Sequence, residues 1–113
     1  MQISLKNQNR RPLHMFGRTP EQQQKTVDNR ERDIQGLEFI LKGGTLADWA
    51  KKTGVSEAHT ITLLSKMADL LHMQAVKVDP TLVRPRGYAA MARRADIWLD
   101  LFHAHKHKLQ KPA

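Results

Sequence analysis

Capping residues and glycines alternate along this chain at a spacing that suits helices and little else. Thr19-Pro20-Glu21-Gln22 has the form of a helix start. It offers a hydroxyl to cap, a proline at the first helical position, where no N–H is needed, and a glutamine three residues after the cap to return the bond. Gly43-Gly44 stops that helix, because glycine takes the left-handed turn that ends a helix at no steric cost. Thr45, with Asp48 three residues on, opens a second helix; Gly54 closes it, and Ser56 caps a third. Punctuation of this kind predicts a mainly α fold.

The apolar spacing agrees with these boundaries. In the first helix, expected to run to Lys42, Ile34, Leu37, Ile40 and Leu41 fall on one face with Phe39 on the flank. Its first half, Glu21 to Arg32, is almost wholly polar and reads as an exposed extension or a separate short helix. In the second helix Leu46, Trp49, Ala50 and Thr53 share a face. In the third, expected from Ser56 to about Met73, Thr60, Ile61, Leu64, Met67, Ala68 and Leu71 fall within one arc. His59, Thr62, Lys66 and Asp69 face the other way, with Ala58 and Ser65 at the edge.

The period then changes to two. Val76 and Val78 alternate with Lys77, Asp79-Pro80 supplies turn chemistry, and Leu82-Val83 follow, which predicts a small β-hairpin. From Tyr88 to about Leu109, Met91, Ala95, Trp98 and Phe102 recur every three or four residues, with Leu99 and Leu101 adjacent, which predicts one long C-terminal helix. Residues 1–18 are polar and aperiodic and read as a flexible basic arm, although Leu13, Met15 and Phe16 could dock part of it. The expected organisation is therefore an arm (1–18), a folded domain (19–86) and a C-terminal helix (87–113).

Charge narrows the function. The chain has 113 residues and a formal net charge of +8. Residues 1–19 hold four bases and no acids, and residues 80–113 hold seven bases against two acids. Residues 45–79 hold four of each. Basic ends around a neutral centre fit a polyanionic partner, nucleic acid before acidic membrane. There is no Cys, which excludes a disulfide framework, a thiolate zinc site and a thiol nucleophile, and fits a cytoplasmic location. No run of about 18 apolar residues is present to cross a membrane, and the first six residues lack the apolar core of a signal peptide. No glycine-rich phosphate loop, paired-carboxylate or Ser–His motif stands at a useful spacing, so neither an enzyme nor a cofactor is expected. His103 and His107 lie four apart on one helix face, but no third ligand is near and Lys106 and Lys108 repel a cation, so no metal is expected.

The segment from Thr45 to Leu64 resembles a helix-turn-helix. Ala50 is small where two helices would cross, Gly54 follows four residues later at the turn, Val55 plugs the corner and Ser56 caps the second helix. With a helix ahead and the expected hairpin behind, residues 33–84 resemble the winged helix-turn-helix superfamily of bacterial transcription regulators. That family usually carries Val or Ile four residues after the capping Ser; here the position is Thr60, with Ile61 next.

The resemblance implies sequence-specific binding of double-stranded DNA by a small transcriptional regulator. The helix 56–73 would enter the major groove, where Ser56, Glu57, His59, Thr62, Ser65 and Lys66 would meet base edges or nearby phosphates. Arg84 and Arg86 would anchor phosphates from the wing edge, and Arg10, Arg11 and Arg18 from the arm. A homodimer is expected through the C-terminal helix, using Met91, Ala95, Trp98, Leu99 and Phe102, because so many apolar residues exceed what one small core needs. The alternative is a helix-turn-helix adaptor that binds another protein, since a recognition helix with one Lys and no Arg is weakly electropositive.

Overall fold

Thr19 caps the first helix, α1 (Pro20–Leu41), by the reciprocal bonds that its sequence predicts: its Oγ1 accepts from Gln22 N–H at 3.1 Å, and Gln22 Oε1 accepts from Thr19 N–H at 3.0 Å. The computed structural model describes residues 19–110. The polar and amphipathic halves of α1 are one continuous helix. Residues 20–29 are exposed on all sides, and packing begins where Asp33, Ile34 and Leu37 become buried. The helix ends in a Schellman turn, with Gly44 N–H on Phe39 C=O (2.9 Å), Gly43 N–H on Ile40 C=O (3.0 Å) and Gly43 at φ +101°.

The next two helices also start and stop at the expected signals. Helix α2 (Leu46–Thr53) is capped by Thr45 Oγ1, and Gly54 closes it in the left-handed conformation at φ +77°. Helix α3 (Glu57–Val76) is capped by Ser56 Oγ, which accepts from His59 N–H at 3.2 Å. Thr60 is buried and stays satisfied because its hydroxyl donates to Ser56 C=O at 2.7 Å. Ile61, placed on the buried arc by the sequence, is instead 43% exposed, so Thr60 alone faces the core at this turn.

The expected hairpin does not form. Among the described residues there is no strand, so the fold has no β wing, and the winged architecture is corrected to an all-helical one. Val76 completes the last turn of α3, which therefore runs three residues past Met73. Val78 and Val83 are 70% and 84% exposed, so neither gains the burial that would reward strand pairing. Pro80 has no N–H for a ladder, and Asp79 Oδ1 accepts from both the N–H (3.1 Å) and the hydroxyl (2.6 Å) of Thr81, which holds a side-chain-closed turn instead.

The C-terminal helix is also in two pieces, α4 (Tyr88–Ala92) and α5 (Ala95–Leu109). Arg94 breaks the run at φ −119°, ψ 43°. Residues on both sides of the break enter the same core. Met91 from α4 and Trp98, Phe102 and Leu109 from α5 are buried together with Ile34, Leu37 and Leu41 of α1 and Met67, Ala68, Leu71 and Ala75 of α3. This corrects the reading of the proposed dimer face. Met91, Trp98 and Phe102 are consumed inside their own chain, Leu99 is half-buried and packs against that core, and Ala95 is half-buried. A second, smaller cluster of Ile40, Trp49 and Leu64 fastens α2 to α1 and α3. No helix among the described residues is long and apolar enough to cross a membrane.

Candidate nucleic-acid interface

The exposed side of α3 follows directly from which residues the core takes. Burial of Thr60, Leu64, Met67, Ala68 and Leu71 leaves Glu57, Ala58, His59, Thr62 and Lys66 exposed, with Ser65 and Asp69 half-buried beside them. From Glu57 to Lys66 this face rises about 14 Å at 1.5 Å per residue, or roughly three turns. Ser56 lies at its head with its hydroxyl oxygen engaged by the cap. Thr62 Oγ1 leans back on Ala58 C=O at 3.4 Å, a long bond that a stronger partner can displace. Glu57, in the first turn, favours the positive end of the helix dipole.

Beyond α3 the chain doubles back along the helix. Leu82 packs on the main core, and its carbonyl lies 3.5 Å from Nε2 of His72 on α3. Two turns nearer the start of α3, Gly87 at φ +91° comes so close that a Cβ there would lie 3.5 Å from Ser65 Oγ. Residues 82–87 thus form a strap across α3, irregular at Leu82-Val83 where the sequence predicts the second strand of the hairpin. The strap and the helix enclose an open groove of about 440 Å³ lined by Ser65, Asp69, Arg84, Pro85, Arg86 and Gly87. Arg84 reaches across it to Asp69, with Nη2 to Oδ1 at 3.0 Å.

Three of the residues named from the sequence, Ser65, Arg84 and Arg86, therefore share one groove at the edge of the exposed face that carries Thr62 and Lys66. Arg10, Arg11 and Arg18 lie outside the described residues. Arg94 is held locally by two bonds to Asp96, both 3.2 Å, at the start of α5, while Arg93 is exposed in the turn between α4 and α5.

Two residues here were not singled out as site residues from the sequence. Lys51, exposed in the last turn of α2, lines a shallow trough of about 470 Å³ with Ala50, Gly54, Val55, Ser56 and Glu57, which places a cation beside the head of α3. Its place in the last turn of α2, three residues before Gly54, was the available signal. Asp69 is the second. Its position on the exposed arc was readable, but its pairing with a residue 15 positions away was not. Among the described residues, no group of three His, Cys, Asp or Glu side chains gathers as a metal site. No protein-family model, curated protein or solved structure matches the chain.

Proposed function

We propose that the protein binds double-stranded DNA, with the first three turns of α3 in the major groove and the flanking cations on the backbone. The observation that carries this reading is the strap. It brings Arg84 and Arg86 to the border of a helix face of α3 that presents the exposed hydrogen-bonding side chains His59, Thr62 and Lys66. His59, Thr62 and Lys66 read base edges, with Lys66 suited to guanine or a phosphate and Thr62 discriminating modestly. Lys51 at one end and Arg86 at the middle supply phosphate contacts that orient the helix without reading sequence. The basic N-terminal residues Arg10, Arg11 and Arg18 add to the same sequence-independent affinity. The role that fits a reading head of this size is that of a small transcriptional regulator.

Binding to duplex DNA of random sequence, followed across rising salt, tests the reading. Neutralising several phosphates makes affinity fall steeply, with a slope of about 0.9 per phosphate contacted. Lys66→Ala and Thr62→Ala reduce discrimination between sequences, whereas Arg86→Ala and Lys51→Ala weaken all sequences alike. A flat salt profile, or no binding at low salt, favours an adaptor that binds protein through the same face.

A further inference from the structure

The groove beside α3 holds a carboxylate where a DNA-binding face has reason to exclude one. Of the four ion pairs among the described residues, three join near neighbours in sequence: Arg32 with Asp33, Lys42 with Glu38, and Arg94 with Asp96. The fourth, Arg84 with Asp69, is the one that ties two separate parts of the fold. It is not sealed in the interior, since the two side chains are 67% and 42% exposed. An open pair of this kind exchanges partners readily, because water screens its attraction and the core does not depend on it.

Resting on the DNA-binding reading above, we infer that Asp69 is a specificity-determining residue that restrains Arg84 as an internal substitute for a backbone phosphate. In the free protein the Asp69 carboxylate occupies the Arg84 guanidinium, which would otherwise add a strong, sequence-blind phosphate contact. On DNA, Arg84 exchanges Asp69 for a phosphate oxygen. The net gain is smaller than for an unpaired arginine, because one ion pair is broken as another forms and the carboxylate left behind repels the backbone. Arg86, in the same groove and in none of the four ion pairs among the described residues, carries the unrestrained contact. Asp69 thereby limits affinity for arbitrary DNA while leaving the base-reading residues His59, Thr62 and Lys66 untouched.

The test is a double-mutant cycle on the full chain, with Asp69→Asn, Arg84→Gln and both together, measured by fluorescence anisotropy on a random-sequence duplex from low to moderate salt. Thermal unfolding of each variant confirms that the fold is retained; Asp69→Asn is isosteric and half-exposed. Asp69→Asn binds three- to tenfold more tightly at low salt, and its salt dependence steepens by up to about 0.9, the value for one further phosphate contact. In the Arg84→Gln background the same substitution loses most of that gain, because the restraint acts through Arg84. A gain of equal size in both backgrounds overturns the inference, since Asp69 would then act only by its own repulsion. Equal affinities and slopes for wild type and Asp69→Asn also overturn it, while salt-dependent binding by the wild type leaves the DNA reading standing. Absence of duplex binding by every variant overturns both.

Discussion

The indole of Trp49 occupies the space that a side chain at Gly36 would fill: a Cβ on Gly36 would lie 2.5 Å from Trp49 Nε1 and 2.9 Å from Leu64 Cδ2. Helix α1 thus gives up a side chain at the point where α2 closes on it. On an exposed helix Gly→Ala stabilises by about 1 kcal/mol, because alanine loses less backbone freedom on folding. At position 36 the inserted methyl must displace a buried tryptophan, and overpacking of that kind costs about 1–3 kcal/mol. Gly36→Ala is therefore expected to lower the urea midpoint with an unchanged denaturant slope. A raised midpoint would show that Trp49 moves aside freely and that α2 is held elsewhere.

Phe102 and Trp98 decide between a core and an interface. Both are buried within one chain, against α1 and α3. Phe102→Ala is expected to cost about 3–5 kcal/mol, the range for deleting a buried aromatic ring, and to do so at every protein concentration. Chemical unfolding at two concentrations a hundredfold apart checks this. Destabilisation confined to high concentration, with a folded variant in sedimentation, would mean that the ring serves a partner chain instead.

Local chemistry was the legible part of this fold. Thr19, Thr45 and Ser56 cap where their side chains allow it, and Gly43 and Gly54 stop helices because positive φ suits them; each of these choices is made within four residues. The hairpin failed on the same ground. Three residues of alternation from Val76 to Val78 are too few to separate a strand from the last turn of a helix followed by an exposed loop. The role of Met91, Trp98 and Phe102 failed for another reason: an apolar stripe reports that something covers it and does not say whether the cover is α1 and α3 or a second chain. The exposed face of α3 was legible by subtraction, since the buried arc leaves His59, Thr62 and Lys66 outside. The strap that brings Arg84 to Asp69 was not, because it depends on a tertiary contact across 15 positions.

His105 makes stability depend on pH. It is buried on α5, its Nδ1 has no hydrogen-bond partner among the described residues, and burial, aided by the charges of Lys108 and His107, holds its pKa below the ordinary histidine value of 6.5. The unfolded chain therefore binds this proton at a higher pH than the folded one does, and stability rises with pH between the two values. The contribution is fully present above about pH 6.5, the unfolded value, and is lost as pH falls through the depressed folded value. Urea unfolding of the wild type between pH 7.5 and pH 5 is expected to show a falling midpoint, and His105→Leu to flatten that fall. An equal fall in both proteins would place the effect in other groups.

Ser56 separates the stability of α3 from its contact with DNA. Its hydroxyl accepts the His59 N–H at the head of the helix, and removing that acceptor in Ser56→Ala is expected to cost about 1 kcal/mol. Ser56→Asp keeps an acceptor in place and sets a negative charge at the positive end of the helix dipole, so its unfolding midpoint should equal or exceed that of the wild type. The same carboxylate would face phosphates if the head of α3 enters the major groove. A new like charge at contact distance in water costs about 1 kcal/mol, so duplex affinity should drop roughly fivefold at low salt, and the deficit should narrow as salt screens it. Urea melts and duplex titrations of the three proteins together check both halves. A Ser56→Asp variant that is fully stable and binds DNA as the wild type does would move the head of α3 away from the backbone and leave the strap and Lys66 as the contact surface.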